Sequence, residues 1–164
     1  MSAHVTIGFD NGATGTCAIL GPNGSIFDEI PTCQSLQGRA GKVVTRVDHF
    51  ALKCWLEANI EQPYGRAYAY VERPFTGKFL NAVLPGQRAY ESVLIVLELL
   101  GIGHETIDSK GWQKAILGDV KGSPALKKAS MLRGMQMYPA HAAAIRSHGD
   151  ADGLLIAHHY HQTS

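Results

Sequence analysis

The first 30 residues contain three short apolar runs separated by turn signals, and this pattern constrains the fold more than any other feature of the sequence. Residues 5–9 are followed by Asp10-Asn11-Gly12, and the runs 16–20 and 25–30 flank Pro22-Asn23-Gly24. An Asn-Gly pair between two apolar runs favours the tight turn of a β-hairpin. The N-terminal segment is therefore predicted to form three antiparallel strands.

Helices and strands alternate in the remainder of the chain. Apolar residues at helical spacing predict a first helix whose inner face is Val47, Phe50, Ala51, Cys54, Trp55 and Ala58. The following elements are predicted to be a strand over 67–71, a helix over 85–100, a strand over 104–107, and helices over 109–117, 123–138 and 147–159, with loops at 34–43 and 74–87. This order predicts an α/β fold, a five-stranded mixed sheet with helices on both faces, in a single domain spanning 1–164.

The overall composition gives no direct sign of a partner. The 15 basic and 14 acidic residues leave a net charge of +1, so bulk charge does not suggest nucleic acid. Three cysteines without a CxxC pair argue against a disulfide framework and a structural zinc site. The chain lacks a signal-peptide pattern and an apolar run of about 18 residues. We therefore expect a soluble cytoplasmic protein with no membrane partner.

Three acidic residues occupy the ends of predicted elements. Asp10 ends the first strand, Glu72 ends the strand over 67–71, and Asp152 lies near the start of the last helix. Sites in α/β folds are usually built at strand ends, and gathered carboxylates repel one another unless a divalent cation such as Mg²⁺ or Mn²⁺ neutralises them. Two such ions can activate a water molecule for phosphodiester hydrolysis. The alternative is that each acid only terminates its own element.

Five motifs carry a resemblance to a known family. The segments IGFDNGATGT, YVERPF, LPGQRAY, SKGWQKAILG and GDADGLLIAHH occur in the order and spacing of RuvC-type Holliday junction resolvases, over nearly the whole chain. The resemblance implies a ribonuclease H-like homodimer that cuts four-way DNA junctions by paired symmetric nicks. It further implies Asp10, Glu72 and Asp152 as catalytic metal ligands, two Mg²⁺ ions per site with Mn²⁺ as a substitute, and the cytoplasm of a bacterial or phage-infected cell.

The sequence alone does not identify the fourth residue of the site. The family usually has Asp or His three residues before the last aspartate, where this chain has Gly149, and the departure favours a divergent or phage-borne member. On a continuous helix His148 faces the same way as Asp152, whereas Asp150 lies about 160° away. If the helix begins only after Asp150, that carboxylate can reach the site, and it suits Mg²⁺ better than imidazole does. Both residues remain candidates.

Several residues are candidates for DNA contact. The resemblance assigns Phe75 as an aromatic wedge that disturbs base stacking, with Phe79 as a second candidate, whereas the alternative is an anchor that folds the loop onto the core. The segment 110–128 is locally basic, and its lysines either contact phosphates or form a solvated face. Trp112 within it is predicted to be a core residue. The candidate phosphate contacts are Arg73, Lys78, Lys110, Lys114 and Lys121.

The apolar helix over 86–100 is predicted to form a homodimer interface, because the family buries the corresponding helix and a two-fold dimer matches a two-fold junction. Two other functions remain as alternatives. A nucleotide-binding ATPase or kinase-like module uses a similar DxGxT turn, although such proteins need two domains, and Gly149 leaves room for a catalytically inactive relative that binds branched DNA. If four acids bind metal, ten acids remain against 15 bases, and the remaining surface is modestly basic.

Overall fold

A five-stranded mixed sheet forms the centre of the fold, as the order of elements predicts. The computed structural model describes residues 4–37 and 41–163. The described strands are β1 (Val5–Phe9), β2 (Thr16–Gly21), β3 (Gly24–Glu29), β4 (Thr32–Gln37), β5 (Lys42–Val47), β6 (Ala67–Glu72) and β7 (Gly103–Ile107). The large sheet has the order β3-β2-β1-β6-β7, and β4 and β5 form a separate two-stranded ribbon.

Strand direction determines which chain ends meet. The first three strands are antiparallel, as predicted, whereas β1, β6 and β7 run parallel. Phe9 pairs with Val71, and Glu72 pairs with Ile107. The carboxyl ends of parallel strands lie at one edge of a sheet. Asp10, directly after Phe9, and Glu72, directly after Val71, therefore lie side by side at that edge.

Helices cover both faces of the large sheet, which confirms the predicted layering. They are α1 (His49–Asn59), α2 (Leu80–Leu100), α3 (Ser109–Leu117), α4 (Ser123–Met137), α5 (Ala142–His148) and α6 (Asp152–Thr163). One buried cluster joins the sheet to α1 and α2, and a second joins the opposite face to α3, α5 and α6, with methionines of α4 packed against it. None of the described helices is long and apolar enough to cross a lipid bilayer.

Alternation along β1 sends successive side chains to the two cores. Ile7 and Phe9 are fully buried in the cluster with α1 and α2. Gly8 points the other way, and a Cβ built on it would lie 2.2 Å from the Gly153 carbonyl oxygen and 2.5 Å from the Ala157 nitrogen. The backbone of α6 therefore lies directly on β1, at a distance that only glycine permits.

The loop predicted over 34–43 is wrong in its described part, because residues 32–37 and 42–47 pair as an antiparallel ribbon. Residues 38–40 of that predicted loop lie outside the described residues. Leu36 and Val43 are 74% and 53% exposed, whereas Val47 is buried in the core. Residues 42–47 are rich in β-branched residues, which favour a strand, but they lack the strict alternation of apolar and polar residues that marks a half-buried strand.

Three helix predictions also need correction. Helix α2 begins at Leu80, five residues before Pro85, because the segment upstream of the proline is already helical and Val83 N–H donates to the Phe79 carbonyl. The helix predicted over 147–159 is two helices, α5 and α6, separated at residues 149–151. In α1 the buried residues are Leu52 and Leu56, and the predicted inner-face residue Phe50 is 71% exposed.

Replacing Gly8 with alanine is predicted to destabilise the protein by about 3 kcal/mol or more, because the new methyl group would collide with backbone atoms of α6 that cannot move independently. Chemical unfolding at equilibrium measures the change. Gly65→Ala is the matched control, since a Cβ at Gly65 meets no atom within 4 Å. Equal stability of the two variants would contradict the proposed backbone contact.

Candidate metal centre

Asp10 is held at the end of β1 by a tight glycine turn. Its N–H donates to the Thr16 carbonyl at 3.0 Å, and Gly15 N–H donates to the Gly12 carbonyl at 3.1 Å. A Cβ on Gly15 would lie 2.1 Å from the Asp10 carbonyl oxygen. The glycine-rich sequence after β1 therefore lets the chain reverse direction directly beneath the carboxylate of Asp10.

Asp150 and Asp152 lie at the break between α5 and α6. Gly149 ends α5 in the left-handed region with φ of 101°, and its N–H donates to the Ile145 carbonyl. Two backbone N–H groups after Gly149 donate to side chains: Ala151 N–H donates to Ser130 Oγ at 3.0 Å, and Gly153 N–H donates to Thr16 Oγ1 at 2.9 Å. Satisfied donors at a helix start fix its position, so the break is a defined turn.

The three aspartates converge. Asp10, Asp150 and Asp152 each offer an oxygen atom, and these atoms all lie within 4.8 Å of one another. Burial, together with the charges of Asp152, Glu72 and Asp150, raises the pKa of Asp10 well above the usual range. Burial likewise raises the pKa of Asp152 to about 6, although the hydroxyl of Ser130 donates to this carboxylate and opposes the shift.

Glu72 completes the group of acids from the end of β6. Trp112 Nε1 donates to Glu72 Oε2 at 2.9 Å. Burial raises the pKa of Glu72 to about 7, the Trp112 hydrogen bond opposes the shift, and the charges of Asp152 and Asp150 add to it. Glu72 is thus electrostatically coupled to the aspartates, although it is not one of the three whose oxygen atoms lie within 4.8 Å.

His148 and Lys127 lie beside the cluster, against Asp150. His148 Nε2 is 3.6 Å from Asp150 Oδ1, and its Nδ1 is 3.3 Å from Glu29 Oε1. Lys127 Nζ is 3.7 Å from Asp150 Oδ2. Of the two candidates for the fourth position, Asp150 is the one whose oxygen lies among those of Asp10 and Asp152, and His148 lies between Asp150 and Glu29.

The donor set fits a hard divalent cation. Burial is the main cause of the raised pKa values of Asp10, Glu72 and Asp152, and repulsion among the neighbouring carboxylates adds to it. Carboxylate oxygens are the ligands that Mg²⁺ and Mn²⁺ prefer, and a cation placed among them would remove the repulsion. Lys127 supplies one positive charge nearby, and its side chain is 65% exposed. The arrangement can therefore bind one or more divalent ions and a phosphate group.

The residues predicted to contact DNA are exposed on the surface of the protein. Phe75 and Phe79 are 74% and 80% exposed, which differs from the anchored aromatic of the alternative interpretation. Lys78, Lys110, Lys114 and Lys121 are exposed. Arg73 Nε is 3.6 Å from Asp108 Oδ1, so this side chain has an acidic neighbour.

Sequence reasoning missed four contributors to the site. Lys127 belongs to the locally basic segment 110–128 and lies three residues, about one helical turn, before Ser130; both side chains reach the loop between α5 and α6. Trp112 is buried as predicted, but its indole N–H on Glu72 was not foreseen. Glu29 lies 119 residues from His148, its partner beside the site. The i, i+3 spacing on α4 places Ser130 on the same helix face as Lys127, so the sequence carries a signal for Ser130. No sequence pattern indicates Glu29.

Two solved structures share this fold. Thermus thermophilus RuvC in complex with a Holliday junction substrate is 16% identical, has a TM-score of 0.55, and aligns over 94% of this chain and 90% of its own. A second structure of Thermus thermophilus RuvC is 17% identical, with a TM-score of 0.52 and coverage of 93% and 90%. No protein-family model matches the sequence, and no curated protein sequence matches it. The structural likeness confirms the ribonuclease H-like α/β fold.

The metal-free protein is predicted to lose stability as pH rises. The folded-state pKa values of about 7 for Glu72 and about 6 for Asp152 lie above ordinary carboxyl values, so protonation stabilises the folded state. The contribution of these two protonated carboxyl groups to the free energy of unfolding is complete below about pH 4 and is lost as pH rises through about 7. With EDTA, the Tm should fall by roughly 5 °C or more between about pH 5 and about pH 8.

Adding Mg²⁺ tests the cause of that loss. Because a cation binds the ionised carboxylates, Mg²⁺ should restore the Tm near pH 8 and have little effect near pH 5. Asp10→Asn removes one buried charge and should flatten the pH dependence measured in EDTA. A Tm that is independent of both pH and Mg²⁺ would contradict the electrostatic interpretation.

Proposed function

We propose that this protein is a divalent-metal-dependent, structure-selective endodeoxyribonuclease of the RuvC type, which resolves four-way DNA junctions by paired symmetric nicks. The observation that supports it is the convergence of Asp10, Asp150 and Asp152, with Glu72 electrostatically coupled to them, in a fold shared with a RuvC that was solved with a Holliday junction. The same proposal treats the described chain as a single nuclease domain.

The proposed reaction is hydrolysis of a phosphodiester. A water oxygen forms a bond to phosphorus, a bridging P–O bond breaks, and the leaving oxygen takes a proton. Two Mg²⁺ ions, with Mn²⁺ as a substitute, would activate the water and stabilise the leaving oxygen when bound. Asp10, Asp150 and Asp152 would hold the metal with Glu72, and Lys127 would offer its charge to the phosphate.

The exposed side chain of Phe75 supports a role for this residue in distorting DNA. Its ring lies against Gly77, where an added Cβ would be 2.4 Å from Phe75 Cε1. An exposed ring braced against backbone is suited to insert between base pairs, and the nearby Phe79 would assist it. Arg73, Lys78, Lys110, Lys114 and Lys121 would contact phosphates, which gives salt-dependent rather than sequence-specific affinity.

We propose a homodimer formed through the helix around residues 86–100. On α2, Ile95 and Leu99 are 50% and 69% exposed and are separated by one helical turn. Exposed apolar side chains at this spacing form a stripe that a second copy of the helix can cover. A two-fold dimer would present two metal sites to the two symmetric strands of a junction.

Incubation with labelled DNA tests the function. The purified protein in Mg²⁺ or Mn²⁺ should nick four-way junctions in pairs of symmetric positions and leave linear duplex intact. Asp10→Asn should reduce the cleavage rate by about 100-fold or more, because a charged metal ligand is lost. Binding without cleavage would indicate an inactive branched-DNA-binding relative. Nucleotide hydrolysis without DNA binding would indicate an ATPase-like module.

Paired substitutions distinguish the two candidates for the fourth residue. Asp150→Asn removes a carboxylate whose oxygen lies within 4.8 Å of those of Asp10 and Asp152, and it should nearly abolish cleavage. His148→Asn leaves that carboxylate in place and should cost about tenfold or less. The measured quantities are the cleavage rate and the Mg²⁺ concentration for half-maximal rate. A greater loss from His148→Asn would reverse the assignment.

A further inference from the structure

Trp112 donates its indole N–H to a carboxylate, although a neutral acceptor would also satisfy this donor. Its side chain is fully buried in the core on the α6 side of the sheet, where many carbonyl oxygens are already engaged in helices and strands. A buried indole N–H needs an acceptor. The acceptor is the carboxylate of Glu72, at 2.9 Å, rather than a neutral backbone group.

The fold places this donor with little freedom. Glu72 pairs with Ile107 at the end of the sheet, and Arg73 N–H donates to the Ile107 carbonyl at 2.8 Å. Helix α3 begins at Ser109, two residues after β7 ends, so Trp112 is carried directly over the end of β6. Because the ring is surrounded by core residues, its orientation is set by packing, and the direction of its N–H is set with it.

The bond changes what Glu72 can do. A hydrogen bond to an ionised carboxylate is stronger than one between neutral groups, and it engages one oxygen so that rotation of the carboxylate is restricted. The second oxygen, Oε1, is then presented in a fixed direction. A site that holds its ligands in place before binding loses less entropy when the cation arrives.

We propose that Trp112 is a positioning residue of the metal centre, which acts by holding Glu72 through Oε2 so that Oε1 is offered to the cation. The role rests on the proposed metal-dependent nuclease function. A purely structural Trp112 would fill the core and satisfy its N–H but would leave metal affinity unaffected.

The chain contains a matched control. Of its two tryptophans, Trp55 also donates its indole N–H to a carboxylate, that of Asp28, at 2.8 Å. Asp28 is exposed on β3 and does not belong to the acid cluster. Trp112→Phe and Trp55→Phe therefore remove the same kind of hydrogen bond, one inside the metal centre and one outside it.

Tryptophan fluorescence provides a readout that is independent of cleavage. In Trp55→Phe protein, Trp112 is the only tryptophan, and a Mg²⁺ titration should change its emission in a saturable way because the adjacent carboxylate becomes neutralised. Glu72→Gln retains an oxygen that accepts the indole N–H but lacks the charge, and it should remove the response. In Trp112→Phe protein, emission from Trp55 should not respond to Mg²⁺.

Cleavage measurements complete the test. Trp112→Phe should raise the Mg²⁺ concentration for half-maximal cleavage by about tenfold, while junction affinity measured in EDTA changes by less than about twofold. Trp55→Phe should leave both quantities unchanged. A thermal unfolding curve shows whether Trp112→Phe is folded at the assay temperature, and the fluorescence titration of Trp55→Phe protein does not depend on that variant.

Two outcomes separate this inference from the proposed function. Cleavage by Trp55→Phe protein without any Mg²⁺-dependent change in Trp112 emission would overturn the positioning role and leave the nuclease intact. In a protein that cleaves no DNA, a higher Mg²⁺ concentration for the half-maximal rise in Tm of folded Trp112→Phe than of Trp55→Phe would support the positioning role and contradict the nuclease. An unchanged Mg²⁺ requirement in folded Trp112→Phe would also overturn the role.

Discussion

The close packing of α6 on β1 and β2 is the contact on which the site depends. Gly8 and Gly153 leave no room for a Cβ between the helix and the sheet, and Thr16 Oγ1 accepts the N–H of Gly153. Because α6 begins at Asp152, this contact brings the start of the helix against the end of β1, where Asp10 lies. A larger residue at either glycine would separate the two carboxylates. The acid cluster is therefore a direct result of backbone packing.

Burial gives the cluster its chemical character. The same desolvation that raises the pKa values of Asp10, Glu72 and Asp152 makes four neighbouring carboxylates unfavourable without a counterion. The fold offsets part of this cost with neutral donors, namely the hydroxyl of Ser130 on Asp152 and the indole of Trp112 on Glu72. These donors orient the carboxylates without neutralising them, so the site keeps its preference for a cation.

Asp150 shows how the local sequence after α5 brings a further carboxylate into the cluster. Gly149 stands where the resembled family usually has an acid or histidine, and its left-handed conformation ends α5 at His148. The chain then needs three residues to reach α6, and Asp150 enters the cluster from that turn. Lys127 and His148 contact the outer side of the same carboxylate. A departure from the expected pattern is thus accompanied by its own set of supporting contacts.

The sequence by itself determined the order along the chain of the strands in the mixed sheet and the strand-end positions of Asp10 and Glu72, because hairpin turns and apolar periodicity are local signals. It left Asp150 and His148 open and missed the ribbon of β4 and β5, whose residues do not alternate strictly between apolar and polar. Only the tertiary structure decided which acids converge and which donors hold them. Contacts such as Trp112 to Glu72, 40 residues apart, depend on how helices pack on the sheet, and no local pattern encodes that distance.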